Sequence, residues 1–166
     1  MKCKNIYAFT SILFISLSAC SQSQTLDQLE SKRISLPNGW QLTPAGKHLK
    51  LGDLPLNIAV SPDQKLAAVT NNGQSIQSIQ LIDLKKEIIS DSVIIGKSWL
   101  GLAFSGDGRS LYASGGNDNI IIRYTVNKGK LANADTIMIG KPWPEKISIA
   151  GIALDESKNR LYTVTK

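Results

Sequence analysis

Short runs of apolar residues, separated by polar turn residues, follow one another through the middle of the chain. Four of them occupy Leu56–Val60, Leu66–Thr70, Ser78–Leu84 and Glu87–Ile95. Runs of this length that are bounded by Pro, Gly, Asp and Asn are typical of β-strands. No window carries the sustained i, i+3, i+4 apolar stripe of an amphipathic helix. The pattern therefore predicts four short strands and an all-β fold.

The same arrangement occurs a second time, at Leu100–Phe104, Ser110–Ser114, Asn119–Val126 and Lys130–Ile139, and a third copy begins at Ile152. An aliphatic residue followed by glycine marks each copy at a spacing of 44 residues: Leu51–Gly52, Ile95–Gly96 and Ile139–Gly140. The first strand of the third copy does not keep this spacing, because Ile152 follows the equivalent Leu102 by 50 residues instead of 44. We therefore expect an enlarged loop between Gly140 and Ile152.

Four strands in about 44 residues make up one blade of a β-propeller. The sequence therefore predicts an all-β fold, a β-propeller with four-stranded blades. We expect the partial propeller at 39–166, with a closure strand at 47–52, blade one at 54–97, blade two at 98–141 and a partial blade at 142–166. Propellers bury their edges by closing a ring of typically four to eight blades. About two and a half blades are an incomplete ring, so we expect the remaining blades beyond Lys166.

The turns between the first two strands of each copy contain Ser61-Pro62-Asp63 and Ser105-Gly106-Asp107. We expect Asp63 and Asp107 to cap free backbone N–H groups, and Gly108 to adopt a positive φ. The two carboxylates are therefore interpreted as structural and not as a catalytic pair.

The repeat also resembles a known family. Ile58–Asp63, Val69–Asn71, Ile79–Asp83 and Ile95–Gly96 resemble the YVTN-type β-propeller repeat. Some lipoproteins with similar propellers continue into an alkaline-phosphatase-like phosphoesterase domain, so the resemblance implies a possible phosphoesterase hydrolase whose catalytic residues all lie downstream. A lactonase-like propeller enzyme is a further alternative.

The N-terminal residues predict a signal peptide. Two cations, Lys2 and Lys4, precede an apolar run from Ile6 to Leu17, which is too short to cross a bilayer as a helix. Residues 17–20 resemble the lipobox of bacterial lipoproteins, which implies cleavage after residue 19 and acylation of Cys20. A membrane-anchored lipoprotein of the bacterial cell envelope is expected, with the lipid bilayer as a partner through Cys20. An ordinary signal peptide with an incidental thiol at Cys20 is the alternative.

Residues 20–38 are polar and predict a flexible tether, in which a short helix around residues 26–32 is possible. The other cysteine, Cys3, lies in the signal peptide, so no disulfide is expected within the mature chain. The chain has 19 Lys and Arg against 13 Asp and Glu. These cations are scattered and form no row that matches phosphates, so we expect no nucleic-acid partner.

The residue types needed for catalysis are sparse. His48 is the single histidine, and no Gly-x-Ser-x-Gly elbow accompanies it. No clustered Cys and His suggest zinc, and Asn117-Asp118-Asn119 lacks the later Glu of a calcium loop. We expect no catalytic residue, no metal and no cofactor in this segment.

One group of candidate binding residues is defined by its position in the loops of a propeller. In a propeller, the loops that enter the innermost strand share a rim with the loops that join strands two and three. The rim residues predicted here are Lys97, Trp99, Lys141, Trp143, Asn71, Asn72, Asn117 and Asp118. Cations and aromatic faces can hold an anionic or sugar-like ligand. Alternatively, the tryptophans fill gaps between blades. The sequence therefore predicts a non-catalytic binding or scaffold segment.

Overall fold

The computed structural model describes residues 25–43, 46–141, 144–145 and 147–166. The predicted signal peptide, Cys20 and Trp143 lie outside the described residues. The chain divides into two compact units, Met1–His48 and Leu49–Lys166.

The first unit contains α1 (Leu26–Glu30) and a small antiparallel hairpin of β1 (Ile34–Ser35) and β2 (Gln41–Leu42). The helix begins with a reciprocal cap, because Thr25 N–H donates to Gln28 Oε1 and Gln28 N–H donates to Thr25 Oγ1. The helix lies where the sequence allowed one within the predicted tether. None of the helices in the described ranges is long and apolar enough to cross a membrane.

The second unit begins with a four-stranded antiparallel sheet, blade one. Its strands are β3 (Pro55–Val60), β4 (Leu66–Asn71), β5 (Ser78–Asp83) and β6 (Ile88–Ile94), and they lie side by side in chain order. Each strand starts and ends within one or two residues of the apolar run that predicted it. The agreement follows from the turn residues, which interrupt the strands at fixed places.

Blade two repeats this order with β7 (Leu102–Phe104), β8 (Ser110–Ser114), β9 (Ile120–Asn127) and β10 (Lys130–Met138). A third, two-stranded sheet follows, formed by β11 (Ile149–Asp155) and β12 (Arg160–Thr165). The expected enlarged loop is present between β10 and β11.

The main core lies between blades one and two. Ile79 and Leu81 from β5 meet Leu111 and Ala113 from β8, and all four are fully buried. Each buried Ile or Leu of this kind contributes about 2 kcal/mol through removal of apolar surface from water. The blades are therefore held face to face by apolar packing.

The aliphatic residues before the first two marker glycines, Leu51 and Ile95, pack against the blades. Ile95 follows β6 and belongs to the core cluster between the blades. Leu51, 44 residues earlier, packs in the same way against Ala67, Val69 and Ile82 on the other face of blade one. Residues 47–52 form no strand in this structure, so the predicted closure strand and its pairing stay predictions.

The turns between the first two strands of each blade confirm the expected capping. In blade one, Ser61 Oγ donates to Asp63 Oδ1 at 2.7 Å, and Lys65 N–H donates to the same oxygen. Asp107 accepts equivalent bonds from Ser105 Oγ and Arg109 N–H. Gly108 has a φ of 70°, as predicted.

These bonds stabilise the ionised carboxylates. The hydrogen bond from Ser61, helped by Lys65, lowers the pKa of Asp63 to about 2. Ser105 and the Arg109 N–H lower the pKa of Asp107 in the same way. Carboxylates that are held in turns by backbone donors have a structural role.

Candidate functional site

The rim of the second unit is formed by loops that antiparallel topology brings to one end of the blades. The β4–β5 loop (72–77) and the β6–β7 connection (95–101) meet there, beside the start of β3. The β8–β9 loop of blade two (115–119) lies at the same end. The neighbouring loops therefore belong to different blades, as the sequence predicted for a rim.

A cleft of about 520 Å³ opens between these loops. Its apolar lining consists of Leu54, Leu56, Trp99 and Leu100. Its polar lining consists of Asn72, Gly73, Gln74, Ser75 and Gln77. One aromatic ring and several amide side chains thus share a single concave surface of the size of small-molecule sites, about 300–1,000 Å³.

Trp99 stands between the two blades. Its side chain is half-buried and lines the cleft on the side of blade one. On the side of blade two its stem lies against Gly116, which has a φ of 52°, and a Cβ added there would be 3.4 Å from that of Trp99. Trp99 therefore packs between the blades and also presents surface to the cleft.

The polar wall of the cleft is fixed by the residues that precede β3. Gly73 N–H donates to Asp53 O at 3.0 Å, and Ser75 N–H donates to Asp53 Oδ2 at 3.1 Å. Asn72 N–H donates to Leu54 O at 3.1 Å. A Cβ at Gly73 would overlap the Asp53 carboxylate, so only glycine fits this close approach. The wall is thus pre-organised.

Hydrogen bonds also fix the opposite wall of the cleft. Ser98 N–H donates to Gln77 Oε1 at 2.6 Å, and Asn57 Nδ2 donates to Leu100 O at 2.5 Å. These bonds join the β6–β7 connection to blade one on both sides of Trp99. The aromatic ring is consequently carried by a segment with anchored backbone.

Lys97 and Asp118, both predicted for the rim, lie next to this cleft and outside its lining. Lys97 is exposed, and its Cβ lies close to Gly116. A Cβ at Gly96 would be 3.2 Å from Asp118 Oδ2, so this carboxylate approaches the chain beside Lys97. The Asp118 carboxylate therefore lies close to the backbone of the residue before Lys97.

The structure differs from the prediction at Asn71. Its side chain is fully buried, and Nδ2 donates to Ser78 Oγ at 3.2 Å and to Gln80 Oε1 at 3.1 Å. Asn71 Oδ1 has no hydrogen-bond partner within the part of the chain that the structure describes. A Cβ at Gly52 would lie 2.8 Å from Asn71 Cγ, so the side chain is covered by this glycine. Asn71 is not presented at the rim.

Of the remaining predicted rim residues, Asn117 lies in the β8–β9 loop, and Lys141 lies in the connection after blade two. Asn117 Oδ1 accepts a bond from Ser148 Oγ at 2.7 Å. Lys141 is exposed, and its backbone carbonyl accepts a bond from Asn119 Nδ2. Trp143 lies outside the described residues. Asn117 and Lys141 do not line the cleft that contains Trp99.

The structure also shows which residues of the connections after blade one and blade two occupy equivalent places. Ser148 N–H donates to Asn119 Oδ1 as Ser98 N–H donates to Gln77 Oε1. Ser148 is therefore the counterpart of Ser98, and the fully buried Ile149 stands where blade one is followed by Trp99. The 50-residue displacement of the third copy was the signal that could have revealed this.

Sequence reasoning did not identify Gln77 as part of the site, because a single Gln in a loop has no distinctive pattern. Among the described residues, no group of three or more His, Cys, Asp or Glu side chains is arranged to hold a metal ion. His48 belongs to the first unit.

Comparison with solved structures gives the fold. Hydrazine synthase from Kuenenia stuttgartiensis is similar with a TM-score of 0.54 and 20% sequence identity, over 72% of this chain and 32% of that chain. The PQQ domain of pyranose dehydrogenase from Coprinopsis cinerea, in its holo form, gives a TM-score of 0.46 and 14% identity, over 63% of this chain and 25% of that chain. This chain thus spans about a third of the length of the hydrazine synthase chain and a quarter of the other.

Hydrazine synthase has a β-propeller-type fold. Together with the two four-stranded antiparallel blades, the likeness shows that this chain has the fold of a β-propeller segment. No family model and no curated protein sequence matches the chain.

Proposed function

We propose that this chain is the YVTN-type propeller segment of a lipid-anchored protein of the bacterial cell envelope, and that it is a non-catalytic binding module. The observation that carries the binding role is the rim cleft, in which Trp99 faces the amide side chains of the β4–β5 loop. Concave sites with an apolar surface and a few placed polar groups are the usual form of ligand sites.

Two features of the cleft support this role. Its walls are joined by backbone hydrogen bonds to Asp53 and Gln77, so little conformational entropy is lost when a ligand binds. Its lining also comes from both the start of blade one and the segment that leads into blade two. Ligand sites occur preferentially where separate elements meet.

The anchor is supported by the sequence at Cys20. After growth with labelled palmitate we expect the wild-type chain to carry label and to fractionate with membranes. The Cys20→Ser chain should lose both properties, because it lacks the thiol that is acylated. Incorporation of label into the Cys20→Ser chain would contradict the anchor.

The binding role is tested by titration of the full chain, purified in a zwitterionic detergent without sugar groups. Four probes represent two ligand classes: the neutral sugars maltotriose and chitotriose, and the anions trigalacturonate and inositol hexakisphosphate. We expect calorimetry to detect binding of at least one probe, and Trp99→Ala to weaken it. Trp40→Ala is the matched control, because Trp40 is 72% exposed and lies in the first unit. The binding role is wrong if no probe binds, or if Trp99→Ala binds as the wild type does.

A further inference from the structure

We propose that the rim cleft binds a neutral carbohydrate, with Trp99 stacking on one face of a sugar ring and the amides of the β4–β5 loop contacting its hydroxyl groups. This inference rests on the proposed binding role and names the ligand class of that same site.

The charge of the cleft disfavours an anion. Of the described residues that line it, none is charged. Lys97 lies outside the lining, and the Asp118 carboxylate approaches the chain beside it. An anionic ligand would therefore leave water for a surface that offers it no buried cation, and a charge moved in this way is costly unless it is paired.

The backbone hydrogen bonds of the polar wall also disfavour an anionic ligand. Anion sites without cations are usually built from free backbone N–H groups that point at the ligand. Here the Asn72 N–H donates to Leu54 O, the Gly73 N–H to the backbone carbonyl of Asp53, and the Ser75 N–H to Asp53 Oδ2. The loop therefore presents side-chain amides and a hydroxyl to the cleft, while these three N–H groups are used within the fold.

A sugar ring matches the surface that remains. A pyranose has an apolar face of C–H groups and an edge of hydroxyls that both donate and accept hydrogen bonds. Trp99 and the neighbouring Leu100, which is 43% exposed, supply apolar surface. Asn72 and Gln74 supply amide groups, which donate and accept equally well. The polar and apolar surfaces of ligand and cleft thus correspond.

Leu54, which lines the cleft, has a constrained backbone. It is 59% exposed and has a φ of 51°, a conformation that is unfavourable for a leucine. Backbone strain of this kind persists only where surrounding contacts impose it, and it is concentrated at ligand sites. Asn72 N–H holds the Leu54 carbonyl, so the strained residue is fixed at the cleft.

The four-probe titration separates this inference from the wider binding role. We expect maltotriose or chitotriose to bind at least about tenfold more tightly than trigalacturonate, whose rings differ by carrying carboxylates. Trp99→Ala should weaken binding of the neutral sugar about tenfold, because it removes the aromatic face that stacks on the ring. Gln74→Ala, an exposed change that leaves the core intact, should weaken it about threefold. Gln64→Ala, in the turn at the opposite end of blade one, is the matched control and should bind as the wild type does.

Trp99-dependent binding of trigalacturonate or inositol hexakisphosphate, with no neutral sugar bound, would overturn the proposal of a neutral carbohydrate. The wider binding role would still hold. Neutral sugar binding that is unchanged in both Trp99→Ala and Gln74→Ala would overturn the location of the site. Binding of none of the four probes would overturn both. Thermal melting of each variant verifies folding, and Gln74→Ala keeps the test decisive if Trp99→Ala fails to fold.

Discussion

The connections that follow blade one and blade two make the same anchoring hydrogen bond with loops of different length. After blade one, Gln77 Oε1 accepts the Ser98 N–H at 2.6 Å, three residues past Ile95. After blade two, Asn119 Oδ1 accepts the Ser148 N–H at 3.0 Å, nine residues past Ile139. The point at which the chain enters the next blade is therefore fixed by this bond, and the six additional residues are accommodated before it.

In the described part of the longer connection, one buried side chain, that of Asn119, bonds to three backbone groups. Asn119 Nδ2 donates to Lys141 O at 2.6 Å and to Glu145 O at 2.5 Å. Asn119 also has a φ of 57°, a left-handed conformation that Asn tolerates better than most residues. The Gln77 side chain thus makes one hydrogen bond to the connection that follows its blade. The shorter Asn119 side chain makes the equivalent bond and two more.

The largest effect is expected from Asn119→Ala. The change leaves the Ser148 N–H and the carbonyls of Lys141 and Glu145 without their partner, so the free energy of unfolding should fall by about 3 kcal/mol. Gln77→Ala removes one contact and should cost about 1 kcal/mol. Urea unfolding of the full chain measures both.

Asn133→Ala is the matched control for Asn119→Ala, because Asn133 is also left-handed, with a φ of 49°, and is exposed. It should change stability by no more than about 0.5 kcal/mol. Equal losses for the changes at positions 119 and 77 would contradict the distinction drawn between the two connections.

An intermediate effect is expected when the side chains that follow the two anchors are exchanged. Ile149→Trp places a large ring where the native side chain is fully buried, and overpacking should lower the free energy of unfolding by about 1–3 kcal/mol. Trp99→Ile changes a half-buried position beside an open cleft and should cost about 1 kcal/mol or less. Thermal and urea unfolding measure both variants. A larger loss for Trp99→Ile than for Ile149→Trp would contradict the difference in packing between the two positions.

The smallest effect concerns the turn between the first two strands, which has the same form in blade one and blade two. The pKa of Asp63 is lowered to about 2 in the folded chain, chiefly by Ser61, against an ordinary value of 3.8. The folded state therefore binds fewer protons than the unfolded state between these values. The stabilisation is complete above about pH 4 and is lost as the pH falls through about 2.

Ser61→Ala should raise the pKa of Asp63 towards 3.8, since it removes the largest cause of the shift. Asp107 in the same sample is the internal control, because Ser105 still donates to it. Carboxyl-carbon NMR titration of both residues makes the measurement. An unchanged Asp63 midpoint in Ser61→Ala would show that the hydroxyl is not the cause.

The strands and the first turns were predictable because their signals are local. Pro62, Asp63 and Gly108 impose turn geometry within a few residues, and apolar runs between such turns have few alternatives to a strand. The 44-residue repeat then gave the blade, since only a repeated four-strand unit accounts for both period and strand count.

The rim was predictable only in part. Trp99 and Asn72 were expected on one surface and both line the cleft. Asn71 was expected beside them and is buried, because its side chain packs under Gly52 through a contact between residues 19 positions apart. Gln77 was not expected, because its role depends on a hydrogen bond to Ser98 in the next connection.

The sequence by itself determined the strands, their order and the blade, because these follow from hydrophobic runs and turn residues that act over short distances. Only the tertiary structure decided which rim residues share a cleft, and that Gln77 and Asn119 anchor the two connections. Those outcomes depend on where each connection is anchored to its blade, and a bond between distant loop residues leaves no periodic signal in the chain.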